Sequence, residues 1–134
     1  MRLYRDVVGG IEKRILNEFM DLLVLLMLNG DGVEVSGYDV IKYLHKRFRF
    51  LPSAGTVYSL LYAMERKGLL KGEQRGEKRV YSLTKKGKET AKAIFSAKNG
   101  IVTFVSALLN ENGFSRLQLQ PLILASSMES SAEP

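Results

Sequence analysis

The residues best placed for chemistry in this chain are hydroxyls and cations. Ser53-Ala54-Gly55-Thr56-Val57-Tyr58-Ser59 sets three hydroxyls and a phenol within one short run, and Tyr62 follows a helical turn beyond Tyr58. Uncharged donors and acceptors gathered in this way suit phosphate oxygens and the edges of nucleic-acid bases. Cations lie on either side. Lys42, Lys46, Arg47 and Arg49 precede the cluster, and Arg75, Lys78 and Arg79 surround Gly76 after it. Such groups neutralise phosphate charge and supply affinity that carries no base sequence. Lys85, Lys86 and Lys88 follow, another set suited to backbone contact.

The same inventory excludes several classes. There is no cysteine, so there is no disulfide framework, thiolate metal site or cysteine nucleophile. His45 is the only histidine, which rules out any site needing two imidazoles. Ser53 and Ser59 have no histidine at a spacing that would make it their base, and the acidic residues form no paired constellation. The glycines at 9–10, 30, 32 and 68 fit neither a phosphate-binding P-loop nor a dinucleotide fingerprint. No catalytic residue, metal or cofactor is therefore expected. His45 reads as a surface or boundary residue.

Charge is unevenly distributed. The 134 residues carry a net +6. Residues 1–37 sum to −2, residues 38–90 to +8 and residues 91–134 to zero. The middle segment, which holds the hydroxyl cluster, thus contains more than all of the net positive charge. The longest apolar run, Leu22 to Leu28, is far short of the roughly 20 residues of a membrane span. The first residues show no apolar signal-peptide core. The expectation is a soluble cytoplasmic protein, associated with the nucleoid when bound to DNA.

Hydrophobic periodicity supplies the elements that must position these groups. Residues 11–29 read as one helix, apolar almost all round in its second half and so the central core helix. Asn29-Gly30-Asp31-Gly32 ends it, and Val33-Glu34-Val35 alternates as a short strand does. Ser36 opens a second helix with Asp39 three residues on, a capping-box arrangement. Val40, Ile41, Leu44 and Phe48 form its apolar stripe, and Pro52 closes it. Ser53 caps a third helix, whose stripe is Val57, Leu60, Leu61 and Met64 and whose stop is Gly68. Glu65 is that helix's only carboxylate. Two strands, 69–73 and 79–84, flank a glycine-containing hairpin tip at 74–78. Thr84 caps a long helix running to about 111, whose stripe Lys98 and Asn99-Gly100 interrupt, a place for a kink or helix break. Cations in its first turn oppose the helix dipole, which points to a task other than stabilising that helix.

The order is helix, helix, helix, strand, turn, strand, helix. It gives a mainly α fold with a small β-hairpin (α+β), a winged helix-turn-helix. The third helix is the recognition-helix candidate and the hairpin is the wing. A helix of about 15 residues is about 22 Å long and fits a major groove about 12 Å wide. Tyr58 and Tyr62 have a second reading as packing residues, the wing cations as an ordinary solvated turn, and Gly55 as a site of close helix approach. The final helix is too long to bury its stripe on so small a domain. Ile94, Phe95, Val102, Val105, Leu108 and Leu109 are thus expected to meet a second copy of the chain. Domain boundaries are expected at 1–83 for the N-terminal helix and DNA-binding domain, 84–112 for the dimerisation helix and 113–134 for a tail with a disordered end. Leu117, Leu119, Leu122, Ile123 and Leu124 in that tail either pack back or form a short strand.

Residues 22–88 also resemble a known family. Ser36-Gly37-Tyr38-Asp39-Val40-Ile41, Leu51-Pro52-Ser53-Ala54-Gly55-Thr56-Val57-Tyr58 and Met64-Glu65-Arg66-Lys67-Gly68-Leu69-Leu70 are similar to runs in the PadR-like transcriptional regulators. So is Gly76-Glu77-Lys78-Arg79-Val80-Tyr81-Ser82-Leu83-Thr84-Lys85-Lys86-Gly87, which matches the wing motif and its glycine. Ala54 stands where the family often has proline. The resemblance implies a homodimeric repressor that binds double-stranded DNA and dimerises through its long C-terminal helix. It also implies a small-molecule effector, for which the aromatic residues Phe95 and Phe104 mark an entry. On this reading Ser53, Thr56, Tyr58, Ser59 and Tyr62 meet the DNA from the recognition helix. Arg75, Lys78 and Arg79 meet it from the wing, and Lys42 and Lys46 from the preceding helix. The alternatives are a winged-helix module that binds another protein, or an architectural nucleic-acid-binding protein without sequence preference.

Overall fold

The computed structural model describes residues 1–110; the expectations for residues 113–134 lie outside them. The elements are α1 (Arg2–Glu18), α2 (Met20–Met27), β1 (Val35–Ser36), α3 (Gly37–Phe48), α4 (Ala54–Arg66), β2 (Leu70–Arg75), β3 (Lys78–Leu83), α5 (Lys85–Ser96) and α6 (Lys98–Leu108).

The central core is assembled as the periodicity predicts. Met20, Val24, Leu25 and Leu28 come from α2 and its end, Val40 and Leu44 from α3, and Val57, Leu61 and Met64 from α4. Leu70, Tyr81 and Leu83 close it from the sheet, and Ala91 from α5. The sheet is antiparallel in the order β1-β3-β2, with Val35 opposite Tyr81 and Gly72 opposite the same Tyr81 on the other side.

Local signals account for the starts of α3, α4 and α5. The Ser36 hydroxyl accepts from the Asp39 amide, and the Asp39 carboxylate accepts from the Ser36 amide at 2.9 Å, a complete capping box. Ser53 caps α4 by accepting from the Thr56 amide at 3.2 Å. The Thr84 hydroxyl accepts from the Gly87 amide at 3.0 Å at the start of α5 and donates to the Gly68 carbonyl at 2.5 Å.

Two expected long helices are each divided by one residue. The helix expected over 11–29 is α1 and α2, separated at Phe19. Helix α1 starts at Arg2 and buries no residue, whereas α2 buries Met20, Val24 and Leu25. The break lets α2 orient its apolar face independently of α1. The helix expected over 84–111 is α5 and α6, separated at Ala97, just before Lys98-Asn99-Gly100, where glycine weakens helix formation.

The chain parts into two compact units at that position, the first being Met1–Ser96. Helix α5 belongs to the first unit, where it packs on α2. Among the described residues, no helix is long and apolar enough to cross a membrane.

Candidate nucleic-acid interface

Helix α4 divides cleanly into two faces. Val57, Leu61 and Met64 are buried, while Thr56, Tyr58, Ser59, Tyr62 and Arg66 are exposed. At its start the Ser53 and Thr56 hydroxyl oxygens lie 2.7 Å apart and share one hydrogen. The second hydroxyl hydrogen of the pair is left for an external acceptor. Tyr58 and Tyr62 are 50% and 58% exposed, so neither is a core residue. The Tyr58 ring lies against Gly37: a Cβ there would come within 2.2 Å of Cε1. Tyr62 carries the Arg66 guanidinium 4.9 Å from its ring centre. Gly55 is in the first turn, and a Cβ there would meet nothing within 4 Å among the described residues. Close approach of another described element is therefore not the reason for glycine at 55.

Helix α3 presents Lys42, His45, Lys46 and Arg47 to solvent. The Lys42 ammonium is 5.6 Å from the Tyr38 ring centre, and Arg47 lies over Phe48 at 5.0 Å. Arg49 closes α3 in the left-handed conformation, φ 56°, and so redirects the chain to bury Phe50. The Asp39 carboxyl is held below its ordinary pKa. The Ser36 backbone amide is the main cause, opposed by partial burial and assisted by the Ser36 hydroxyl and the charges of Lys78 and Lys42.

The wing turns at Gly76, φ 66°, with Arg75 opposite Lys78. Its three cations differ. Arg75 is tied by Glu34 at 2.9 Å and Glu73 at 3.0 Å. Glu73 also meets Lys71 at 3.4 Å, and its carboxyl is held below the usual range by Arg75 first and Lys71 second. Arg79 is bound by Glu65 at 2.7 Å. Lys78 is exposed and forms no ion pair with the described residues. Tyr81 is buried beneath the wing. Between the start of α3, α4 and β3 lies a cleft of about 340 Å³, bordered by Tyr38, Tyr58, Lys78 and Arg79.

The lysines in the first turn of α5 have a local explanation in one case. The Lys86 ammonium donates to the Lys67 carbonyl at 3.0 Å, at the C-terminal end of α4, where a cation complements the helix dipole. Among the residues expected at the dimer surface, Ile94 is half-buried against the chain's own core. Phe95, Val102, Val105, Leu108 and Leu109 are exposed, as is Phe104.

Three features were missed by sequence reasoning. Helix α1 exposes Tyr4, Val7, Val8, Ile11 and Ile15 along its length, an apolar stripe visible in the spacing once the helix is known to start at Arg2. Gly37 is the seat for Tyr58 and had no local signal. Glu65 is the partner of Arg79, signalled only by being the one acid on α4.

Helices α2–α4 and a three-stranded antiparallel sheet with a basic hairpin define a winged-helix fold. Residues 24–93 match the model of the transcriptional regulator PadR-like family, which is more than half the chain. The chain belongs to the PadR-like family of transcriptional regulators. A PadR family transcriptional regulator from Eggerthella lenta shares the fold at 24% identity and TM-score 0.65, over 84% of this chain and all of that one. A PadR-like transcriptional regulator from Bacillus cereus aligns at 26% identity and TM-score 0.60, over 72% of this chain and 97% of that one. A winged-helix DNA-binding protein from STIV has a TM-score of 0.53 at 24% identity, over 66% of this chain and 92% of that one. No curated protein matches the sequence.

Proposed function

We propose that the chain is a homodimeric repressor that places α4 of each subunit in a major groove of double-stranded DNA. Ser53, Thr56, Tyr58, Ser59 and Tyr62 face the DNA from α4, with base reading concentrated on Thr56 and Ser59. Lys42, Lys46 and Lys78 neutralise flanking phosphates. Arg75, already held between two carboxylates, acts mainly by shaping the wing. The observation that carries this reading is the exposed face of α4. It is polar and aromatic, lies beside the wing, and its single carboxylate is neutralised by Arg79.

Dimerisation is supported by the exposed apolar residues of α6 and by the apolar stripe of α1, surfaces that a second copy would cover. A dimer held over its site excludes other proteins from it, which is repression. A small-molecule effector completes this reading.

The test is selection from a random duplex pool at about 150 mM salt, an ionic strength that weakens purely electrostatic binding. An enriched inverted repeat with half-sites about 34–36 Å apart, or a multiple of that spacing, is the expected result. Lys78→Ala should then weaken binding to all sequences alike and flatten the salt dependence by about one unit of slope. Binding without enrichment would make the protein architectural. Absence of binding would leave a protein-interaction module or a regulator that binds only with its effector.

A further inference from the structure

Helix α4 carries one carboxylate on the face region that would approach a polyanion, and that carboxylate is engaged twice. Glu65 Oε2 accepts from Arg79 Nη2 at 2.7 Å and from the Gly72 amide at 3.3 Å. Arg79 is on β3 and Gly72 on β2, so one oxygen joins the helix to both strands of the wing. The path of the arginine is specific. Gln74 is opposite Arg79 and Gly72 opposite Tyr81, which makes Gly72 the diagonal neighbour of Arg79 on the same face. The side chain crosses the sheet over Gly72 to reach Glu65. A Cβ at residue 72 would lie 2.7 Å from both Nε and Nη2 of Arg79 and 2.9 Å from Cζ, so a side chain there would push the flexible end of the arginine off this path. The Tyr81 ring supports the guanidinium from 5.8 Å.

We propose that Arg79 is a positioning residue, not a phosphate contact: through Glu65 and across Gly72 it locks the wing to α4 and sets the distance between the wing tip and the recognition helix. The proposal rests on the DNA-binding reading above. Its logic is electrostatic as well as geometric. Were Arg79 to turn to a phosphate, Glu65 would be left as an unpaired anion beside the same DNA. The polyanion therefore favours the locked arrangement, and phosphate contact at the wing falls to Lys78.

The experiment uses the full chain and the duplex enriched from the random pool, with affinity measured by fluorescence anisotropy across a salt series. Gly72→Ala is the informative variant, because it displaces the flexible end of Arg79 while changing no charge and no buried side chain. It should weaken binding roughly tenfold with the wild-type salt slope, as a broken contact network does. Arg79→Gln should weaken binding to a similar extent, again without loss of slope. Combined with Glu65→Gln it should cost no more than it does alone. In the absence of DNA, Arg79→Gln should speed hydrogen exchange at the Gly72 amide.

A fall of about one unit of slope in Arg79→Gln, with tighter binding by Glu65→Gln and unchanged binding by Gly72→Ala, is the signature of a direct phosphate contact and overturns the proposal. Unchanged exchange at Gly72 overturns the lock independently of DNA. If the wild-type chain bound no duplex at all, the DNA-binding reading itself would fall.

Discussion

Replacing Gly87 by alanine should destabilise the chain by about 2–3 kcal/mol, and the figure follows from three contacts. Gly87 is the third residue of α5 and is buried. A Cβ there would sit 2.1 Å from the Leu69 carbonyl oxygen and 3.1 Å from Leu83 Cδ2, where ordinary contact begins at 3.4 Å. The carbonyl cannot simply retreat, because it accepts from the Thr84 amide at 3.2 Å. Thr84 in turn holds the Gly87 amide and the Gly68 carbonyl. Opening the contact therefore separates α5 from the root of the wing or breaks the Thr84–Leu69 bond. Overpacking costs about 1–3 kcal/mol, and a lost backbone hydrogen bond adds about 0.5–1.5 kcal/mol. The better helix propensity of alanine returns about 1 kcal/mol at most.

Urea unfolding followed by circular dichroism measures the result. With a slope of about 1–3 kcal/mol per molar urea, the midpoint should fall by roughly 0.7–3 M. Wild type and variant must be compared at one protein concentration, since association shifts apparent stability. A midpoint equal to or above wild type would show that the Leu69–Gly87 contact relaxes freely, and would refute the reasoning.

Gly55→Ala should do the opposite in the same assay, because open space surrounds that position. Stability should rise by up to about 1 kcal/mol while operator affinity drops at least tenfold, about 1.4 kcal/mol; unchanged affinity would remove close backbone approach to DNA as the role of this glycine. Asp39 has a folded-state pKa below its unfolded value, so its contribution is present above about pH 4 and is lost as pH falls through the folded pKa. Asp39→Asn should cost about 1 kcal/mol at neutral pH and flatten stability against pH in the acid range. An acid limb as steep as wild type would assign that limb to other carboxylates. Phe104→Glu with Leu108→Glu should convert dimer to monomer in sedimentation with little change in helicity, both side chains being largely exposed in one chain; an unchanged mass would move the interface elsewhere.

What could be read from sequence was whatever a few neighbouring residues decide. The Ser36–Asp39 box and the Ser53 cap span three residues each, and both form as expected. The stripes of α3 and α4 follow from one period, and Val40, Leu44, Val57, Leu61 and Met64 are all buried. The break at Phe19 was not legible in the same way, because the residues on both sides favour a helix and the interruption answers to what each half can bury; the break at Ala97 falls beside Lys98 and Asn99-Gly100, where the apolar stripe is interrupted. The candidate interface was legible by residue type only. Spacing gathered Arg75, Lys78 and Arg79 into one basic tip. Which of the three are already paired depends on Glu34, Glu65 and Glu73, and Glu34 and Glu65 arrive from outside the hairpin. Tyr58 similarly depends on Gly37, brought to it from the start of another helix.

The outer strand of the sheet bears on a separate hazard. With the order β1-β3-β2, strand β2 leaves one row of backbone donors and acceptors without a neighbouring strand, an invitation to strand addition and fibre growth. Near the middle of that row the Gly72 amide is already taken by Glu65. Lys71, Glu73 and Arg75 place charges along the rest, and ion pairs hold Glu73 and Arg75 in place. The carboxylate that joins helix to wing thus also blunts an adhesive edge. A chain that lost it would be at greater risk of edge-to-edge aggregation.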